Sequence, residues 1–460
     1  MLNRMRNHFR DFLWNRRNFN PTRIVAGSFG VIILLGTLLL MLPAASRDGQ
    51  SAGLFASLFT ATSASCVTGL IVADTWLQWS LFGQVIILVM IQLGGLGFMT
   101  VITLFSLALH RRIGLSERLV MVSTLNLNDM DGVVRMVQHA LMGTFCMEAA
   151  GALLLSLRFV PKFGLAGGLW RGVFHGVSSF CNAGFDLLGG YSGAYSSLAG
   201  FNDDPVVLLT TAALITVGGL GFFVWEDVLQ HRRWKKLSLY SRLVLSLTAA
   251  LILFGALFFF AVEYRNPATL GPMPLWQKGL NALFQSVTLR TAGFDALGQG
   301  GLTDSSLALS VIFMLIGGSS GSTAGGLKTV TVAVLLLAFR AGVRGREEVT
   351  LRGRAISHRR VMNAMTLTLM VVFLFMVSSM LLSTVDGLPF LSAAFEVASA
   401  MGTVGLTVGI TPGLSLFSRG VLVFLMYVGR VGILSFSIAF LTRSKYPAKI
   451  KYPTFDIMIG

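Results

Sequence analysis

Four short glycine-centred segments recur along the chain, and their residue types and spacing could do chemistry. They are Cys66-Val67-Thr68-Gly69-Leu70, Cys181-Asn182-Ala183-Gly184-Phe185, Arg290-Thr291-Ala292-Gly293-Phe294 and Gly402-Thr403-Val404-Gly405-Leu406. Their central glycines are 115 (69 to 184), 109 (184 to 293) and 112 (293 to 405) residues apart. Glycine tolerates positive φ, so each loop can turn backbone carbonyl oxygens toward a common axis, where they replace the hydration shell of a cation. The predicted chemistry is that of a potassium-type selectivity filter.

Each of the four segments is predicted to contribute residues to this filter. The predicted filter residues are Cys66, Val67, Thr68, Gly69, Asn182, Ala183, Gly184, Thr291, Ala292, Gly293, Thr403, Val404 and Gly405. The predicted K⁺ ligands are the backbone carbonyls of Val67, Thr68, Asn182, Ala183, Thr291, Ala292, Thr403 and Val404. An enzyme is not expected, because no His, Cys and Asp cluster has metal-ligand spacing and His175 has no evident nucleophile partner.

A second glycine cluster follows each loop. Three of these clusters, Gly94-Gly95-Leu96-Gly97, Gly218-Gly219-Leu220-Gly221 and Gly429-Arg430-Val431-Gly432, are typical of close helix packing through small residues. The other consists of Gly317, Gly318, Ser319, Ser320, Gly321, Ser322, Thr323, Ala324, Gly325 and Gly326. This run sustains a helix poorly, so an unwound intramembrane gate is predicted just below the filter. Lys328-Thr329 does not complete a phosphate loop, because Leu327 stands where that motif needs Gly.

Two arginines lie in or beside apolar segments, where charge is expensive and usually faces protein or water. Arg430 has two candidate roles: its guanidinium binds the carbonyls of the gate run and holds the gate closed, or it pairs with a carboxylate such as Glu148. Arg290 is expected to brace the third filter loop from behind, with Glu396 as its candidate partner, because a cation lining the pore would repel permeating cations.

Three aspartates follow the filter glycines within two to five residues: Asp74, Asp186 and Asp295. Carboxylates gathered at one mouth would concentrate cations there. Ordinary solvated aspartates of surface loops explain the same residues almost as well.

The composition places these motifs in a membrane protein. The chain has 460 residues, of which 54% are hydrophobic and only 12% charged, and several apolar runs reach the roughly 20 residues needed to cross a bilayer. The predicted fold is an all-α polytopic membrane protein of four span-pore-span repeats, pseudo-fourfold around a central cation pore. Outward spans are predicted at Ile24 to Leu42, Val133 to Leu157, Leu243 to Val262 and Val361 to Leu382. Returns are predicted at about Trp79 to Leu109, Val206 to Leu229, Leu307 to Ala338 and Gly420 to Leu441.

The repeats divide the whole chain. The predicted divisions are a basic cytoplasmic segment at 1–23, repeat 1 at 24–128, repeat 2 at 129–240, repeat 3 at 241–358 with its gate loop at 317–326, repeat 4 at 359–443, and a cytoplasmic tail at 444–460. Non-helical backbone at membrane depth is tolerated only when it is buried in protein or lines water. Four such loops therefore imply one shared aqueous pathway.

A phenylalanine recurs ahead of each filter glycine. It stands ten residues before the glycine in three units (Phe59, Phe174 and Phe395) and nine before it in the other (Phe284). This spacing predicts aromatic anchoring of a short helix behind each loop, whose negative dipole end would face the centre. The alternative is that Phe is simply frequent in this composition.

The net charge of +16 sets topology rather than indicating nucleic-acid binding. The basic residues concentrate in links between apolar units, such as His110-Arg111-Arg112 and His231 to Lys236, and in the Arg-rich start. By the positive-inside rule these links and both termini are cytoplasmic, where they also contact anionic lipid headgroups. The three cysteines, Cys66, Cys146 and Cys181, are too few for a disulfide framework and are expected to be packing residues.

The four loops, the gate run and Arg430 together resemble the Trk/Ktr/HKT superfamily of potassium-translocating subunits, over nearly the whole chain. The resemblance implies gated, passive K⁺ uptake across the plasma membrane, with filter glycines at Gly69, Gly184, Gly293 and Gly405. Some plant relatives carry Ser at the first of these positions and favour Na⁺, so K⁺ selectivity is expected here. The intramembrane gate of the family matches Gly317 to Gly326, and its inner-helix arginine matches Arg430.

The chain looks most similar to the Ktr branch, since no additional pair of amino-terminal spans is predicted. That resemblance implies a homodimer on a ring of cytosolic nucleotide-binding (RCK-type) regulatory subunits. It implies no cofactor in this chain, K⁺ as the permeant ion and Na⁺ as a candidate activator. The tail from Tyr446 to Gly460 either docks on a neighbouring subunit or is disordered.

A secondary symporter that couples K⁺ to Na⁺ or H⁺ is the alternative function. Carriers more often show inverted repeats and broken helices around a midplane site, whereas the four loops here predict one pore.

Overall fold

The computed structural model describes residues 21–97 and 133–432. The basic start, the His110-Arg111-Arg112 link and the predicted tail at 444–460 lie outside the described residues, as do the ends of the first and fourth predicted return spans.

The described chain is built almost wholly of helices. They are α1 (Pro21–Leu40), α2 (Leu54–Ser65), α3 (Thr75–Gln78), α4 (Leu81–Leu96), α5 (Val133–Phe180), α6 (Gly189–Ser192), α7 (Pro205–Leu220), α8 (Phe222–His231), α9 (Leu239–Glu263), α10 (Leu275–Thr288), α11 (Asp304–Leu315), α12 (Thr329–Val343), α13 (His358–Asp386), α14 (Phe390–Gly402) and α15 (Leu416–Val431). A small antiparallel hairpin, β1 (Thr350–Leu351) and β2 (Arg354–Ala355), lies between α12 and α13.

Long apolar helices alternate with shorter ones. Within the described ranges, four segments are long and apolar enough to cross a membrane alone: Arg23–Leu40, Val137–Phe180, Leu239–Glu263 and His358–Asp386. A fifth span is counted if α7 and α8, bent by 97° at their junction, are taken together. The protein is therefore a multi-pass α-helical membrane protein, as the composition predicted.

The same order of elements occurs four times. A long helix is followed by a short one, a non-helical loop and a return helix: α1, α2 and α4; the two parts of α5, then α7; α9, α10 and α11; and α13, α14 and α15. Helix α5 contains both a long and a short member, because its backbone is not helical at Gly164 (φ 74°, ψ 169°). Only glycine adopts that conformation readily, so Gly164 separates the two parts.

A side chain caps the start of each return helix. The capping residues are Ser80, Asp204, Thr303 and Ser415, and each accepts a hydrogen bond from a backbone N–H of the first turn. These bonds satisfy donors that have no partner within the helix. The return helices therefore begin at defined residues, although no charged side chain or proline marks all four.

The short helices before the loops form the core of the protein. Phe59, Phe174, Phe284 and Phe395 are each at most 1% exposed. The last of the four short helices, α14, is buried at every residue from Ala393 to Gly402 and packs against α11, α13 and α15. Burial of this kind is what aromatic anchoring of the short helices requires.

Glycines with positive φ end three of the return helices. Helices α4, α7 and α15 stop at the last glycine of their clusters, Gly97 (φ 78°), Gly221 (φ 89°) and Gly432 (φ 91°). The predicted return from Val206 to Leu229 is bent, because the chain turns by 97° at Gly221. Gly94, Gly218 and Gly429, earlier in the same clusters, pack closely against the carbonyl oxygens of Ser65, Phe180 and Met401, and the last glycine of each cluster ends its helix.

Candidate functional site

The four glycine loops lie together and contact one another in a closed ring. A Cβ built on Gly69 would lie 3.0 Å from the Cα of Gly184, one on Gly184 3.0 Å from Gly293, one on Gly293 3.2 Å from Gly405, and one on Gly405 2.9 Å from Gly69. Carbonyl oxygens of the next loop lie even nearer to each glycine, namely those of Ala183, Ala292, Val404 and Thr68. No room exists for a side chain at any of the four positions.

In each loop, two residues with positive φ are separated by one residue with negative φ. In every loop the central glycine has positive φ (69° to 98°), and so does the residue two before it. Those preceding residues are Val67, Asn182, Thr291 and Thr403, with φ between 53° and 63°. Non-glycine residues adopt this conformation uncommonly, and strained backbone persists only where its surroundings impose it. The same strained conformation at four equivalent positions indicates a shared requirement of the site.

A hydroxyl behind each loop holds it in place. In the first and fourth loops, Gly69 N–H donates to Ser63 Oγ and Gly405 N–H donates to Ser399 Oγ, both at 3.0 Å. In the other two, Ser178 Oγ donates to the Phe185 carbonyl (2.7 Å) and Thr288 Oγ1 to the Phe294 carbonyl (2.6 Å). These four residues were not predicted from the sequence, although each stands four positions after an anchoring phenylalanine.

Replacing Ser63 with Ala should loosen the first loop. A buried N–H left without its acceptor costs about 1–3 kcal/mol, so we expect discrimination between K⁺ and Na⁺ to fall about tenfold in uptake assays. Ser57→Ala is the matched control, because Ser57 is equally buried on α2 and its hydroxyl has no hydrogen-bond partner. Equal effects of the two substitutions would contradict the anchoring role.

The Gly-Ser-Thr-rich run from 317 to 326 is not helical and connects α11 to α12. Its backbone bonds to the end of α7, where Ser319 N–H donates to the Gly219 carbonyl (3.0 Å) and Thr323 N–H to the Gly218 carbonyl (3.3 Å). It also reaches the loops above, since Thr323 Oγ1 donates to Asn182 Oδ1 (3.4 Å). The run therefore lies directly against the ring of loops.

Arg430 binds carbonyl oxygens rather than a carboxylate. Its guanidinium donates to the carbonyls of Thr323, Gly94 and Gly95, the last at 3.2 Å. It thereby joins the gate run to the end of α4. Glu148, the other candidate partner, instead accepts from Gln92 Nε2 at 3.0 and 3.2 Å.

A cavity of about 520 Å³ opens beneath the gate run. Its lining includes Gly97 at the end of α4, Ser320 in the gate run, and the cations Lys328 and Arg430. Lys328 Nζ donates to the Ala324 carbonyl at 2.7 Å, so this amine too bonds to the gate run. The gate run and the basic side chains of Lys328 and Arg430 thus line a cavity that also reaches Gly402, the first residue of the fourth loop segment.

The proposed pair of Arg290 and Glu396 is not present. Arg290 is buried, and its guanidinium donates to Thr329 Oγ1 at 3.4 Å. Its backbone carbonyl accepts a hydrogen bond from Asn182 Nδ2 at 3.4 Å. Glu396 is fully buried and accepts its hydrogen bonds from the segment after Gly405. The prediction of their pairing was wrong because a sequence does not show which way two buried side chains face across a helix bundle.

The three aspartates are neither free nor freely solvated. Asp74 accepts from the backbone N–H groups of Trp76 and Leu77 (3.0 and 2.9 Å) and of Tyr195 (2.9 Å). Asp295 accepts from three backbone N–H groups and the Gln299 amide, and Asp186 accepts from Leu188 N–H at 2.9 Å. Each carboxylate therefore shapes the outer segment that follows its own loop.

Lowering the outside pH should weaken K⁺ uptake, because it protonates the carboxylate of Asp186. Burial raises the pKa of the Asp186 carboxyl to about 7, the Leu188 hydrogen bond opposes this, and nearby Asp74 adds to it. A raised carboxyl pKa means that the group is charged above pH 7 and neutral below it. At low K⁺ concentration we therefore expect uptake to fall about twofold between roughly pH 8 and pH 6, because the mouth loses a negative charge.

In cells held at a controlled external pH, Asp186→Asn should show, at every pH between roughly 8 and 6, the low K⁺ uptake that the wild type shows at about pH 6. Asp203→Asn is the control, because Asp203 is an exposed aspartate of the same outer segment. A wild-type pH profile in Asp186→Asn would contradict the assignment.

The described residues define a class of protein: a multi-pass helical membrane protein in which four glycine loops contact one another in a ring, beside an interrupted helix. The family model described as TrkH, cation transport protein, matches residues 7–448. The chain therefore belongs to the TrkH cation transport family.

Several characterised proteins are similar over nearly their full length. The chain is 42% identical to the potassium/sodium uptake protein NtpJ of Enterococcus hirae over 97% of this chain and 98% of that one. It is 37% identical to the Ktr system potassium uptake protein B of Bacillus subtilis over 96% of this chain and 97% of that one. The resemblance to Ktr-type membrane subunits predicted from the sequence is thereby confirmed.

The fold matches a solved structure. The potassium transporter TrkH from Vibrio parahaemolyticus superposes with a TM-score of 0.71, at 18% identity, over 90% of this chain and 85% of that one. At that identity the likeness concerns the fold alone.

Proposed function

We propose that this protein is the translocating subunit of a potassium uptake system and conducts K⁺ passively through a filter formed by the four glycine loops. The observation that carries the proposal is the closed ring, in which four glycines with positive φ each face a carbonyl oxygen of the next loop. Carbonyl oxygens held at fixed positions replace the water of a dehydrated cation. The relatives named as potassium uptake proteins support K⁺ as the permeant ion.

The gate is the run from 317 to 326, held closed by Arg430. The guanidinium ties this run to the end of α4, and its positive charge lines the cavity beside the run. Opening requires these hydrogen bonds to break, which lets the run withdraw from beneath the filter. An equilibrium between two such arrangements can be biased by anything that binds one of them better.

The chain resides in the plasma membrane with both termini in the cytoplasm, and its four repeats have the boundaries predicted from the sequence. The basic links between apolar units support this orientation. The protein acts as a homodimer and with a ring of cytosolic nucleotide-binding subunits. The Ktr system names of the relatives support a system of several components.

Sodium is the second ion to consider. The relative from Enterococcus hirae is named a potassium/sodium uptake protein, which supports Na⁺ as an activator or a second permeant ion. Nothing in this proposal requires a resident cofactor or an enzymatic reaction.

The proposal is tested by measuring reversal potentials of the purified protein in planar bilayers. A passive conductor should carry each permeant ion only down its own electrochemical gradient, whatever Na⁺ or pH gradient is imposed. Net K⁺ movement against its electrochemical gradient, driven by a Na⁺ or pH gradient, would show coupled transport and overturn the passive mechanism.

A further inference from the structure

The fourth filter loop is tied at its outer end by a buried carboxyl group. Glu396 lies on α14 directly after the anchoring Phe395 and is completely buried. Its Oε1 accepts from Thr407 Oγ1 (2.6 Å) and from Val408 N–H (3.0 Å), and its Oε2 accepts from Thr411 Oγ1 (2.5 Å). Thr407 is only two residues beyond the filter glycine Gly405. A single carboxylate therefore fastens the outer end of this loop to the helix behind it.

The residues that bond to Glu396 also bond to one another. Thr411 Oγ1 lies 3.1 Å from Thr407 Oγ1, and Thr407 Oγ1 accepts from Gly409 N–H at 2.9 Å. Linked hydrogen bonds in a low-dielectric interior reinforce one another. The segment from 407 to 411 is thus held as one unit.

The equivalent position differs in every unit. The residue after the anchoring phenylalanine is Thr60, His175, Gln285 and Glu396 in turn. Gln285 bonds with Gln299, whose amide also donates to Asp295, the second residue after Gly293. The hydroxyl of Thr60 and the Nε2 atom of His175 have no hydrogen-bond partner within the described residues.

The filter is therefore supported unequally around its circumference. The third and fourth loops are tied at their outer ends by side chains of their own short helices. The first and second loops lack such ties from this position. Selectivity between ions of similar size depends on how firmly the carbonyl ligands are held, as well as on their number.

We infer that Glu396 is a positioning residue for the selectivity filter, which keeps the carbonyls of the Gly405 loop at the spacing that favours K⁺ over Na⁺. It does not touch the permeating ion, since its bonds go to the segment beyond the filter glycine. This role rests on the proposed function of the loop ring. It also accounts for a carboxyl group at a fully buried position that has no cation beside it among the described residues.

Removing the carboxyl group of Glu396 should change the discrimination between K⁺ and Na⁺ more than the maximal rate of transport. In Glu396→Ala we expect the ratio of the KM for Na⁺ to the KM for K⁺ to fall about tenfold, because three hydrogen bonds to a buried carboxyl group are lost. The maximal rate should change much less, since the gate run and Arg430 are untouched. Glu396→Gln keeps the shape and can still accept from Val408 N–H, so we expect it to retain most of the wild-type ratio.

A second buried carboxylate provides a matched control. Glu263 at the end of α9 is also fully buried, and it accepts from Thr269 Oγ1 (2.7 Å), Thr303 N–H (3.0 Å) and Thr303 Oγ1 (2.8 Å). Its partners fasten an outer loop to a return helix and include no filter residue. Glu263→Ala should therefore lower the detergent melting temperature and leave the KM ratio unchanged.

The experiment measures KM and maximal rate for K⁺ and Na⁺, together with melting temperature, for all three variants in proteoliposomes. A wild-type KM ratio in Glu396→Ala, or an equal fall in Glu263→Ala, would overturn the inference. Should Glu396→Ala fail to fold, Thr411→Val tests the same tie, because it removes one hydroxyl donor to Glu396, and an unchanged ratio there would overturn it too. Gly69→Ser is assayed in parallel: if it alters selectivity and the Glu396 variants do not, only the positioning role fails.

Discussion

Replacing Arg430 with Ala should raise K⁺ flux through the purified protein by about tenfold or more. The guanidinium donates to the carbonyls of Thr323, Gly94 and Gly95, and hydrogen bonds from a charged donor are worth about 1.5–3 kcal/mol each. Their loss frees the gate run from α4 and removes a positive charge from the pathway. Even one such bond favouring the closed arrangement shifts the open population about tenfold.

Two controls separate charge from hydrogen bonding at this site. Arg430→Lys keeps the positive charge but replaces a fork of donors with one ammonium, so we expect an intermediate flux. Arg419→Ala removes an arginine from the same helix, whose guanidinium donates to the Pro412 carbonyl at 2.7 Å, and should leave gating unchanged. Single-channel open probability is the measurement. An unchanged open probability in well-folded Arg430→Ala would remove the gating role.

Replacing Gly69 with Ser should abolish most of the preference for K⁺ over Na⁺, a loss of about tenfold or more. Gly69 has φ 90°, and a Cβ there would press against the Ala183 carbonyl and the Cα of Gly184. The first loop must move away from the second, which changes the distances among the carbonyl ligands. Residues with side chains are also strained at this φ. Uptake of both ions in a transport-deficient strain is the measurement.

Gly53→Ser separates crowding from backbone strain. Gly53 has a similar φ of 81°, and a Cβ built on it meets nothing within 4 Å. The control should therefore lose some stability and keep ion discrimination. If Gly69→Ser preserved discrimination, the assignment of the ring as the filter would be wrong.

Glycine was the most informative residue type in the sequence, because its positions report backbone conformation directly. The spacing of Gly69, Gly184, Gly293 and Gly405 was sufficient to predict four equivalent loops, and the run from 317 to 326 to predict an unwound segment. The TrkH family match and the helical structure confirm the class of protein. Glycine patterns were less clear about helix ends, since Gly221 both packs closely and turns the chain.

Side-chain partners could not be predicted in the same way. Glu396 was paired with Arg290 on sign of charge alone, but its acceptors are occupied by two threonines and a backbone N–H. Ser63 and Ser399 could have been identified in the sequence, because each stands four residues after a phenylalanine, Phe59 and Phe395 respectively. One helical turn places the two residues on the same face, so that spacing could have identified them.

The third loop contains one residue fewer than the others between its supporting hydroxyl and its glycine, five positions from Thr288 to Gly293 against six from Ser63 to Gly69. A pore assembled from four identical subunits could not have a shorter loop in one subunit alone. Because a single chain contains all four loops here, each loop can differ from the others in length and in rigidity. Substitutions of the same kind introduced in successive loops should consequently give a graded series of phenotypes rather than four copies of one.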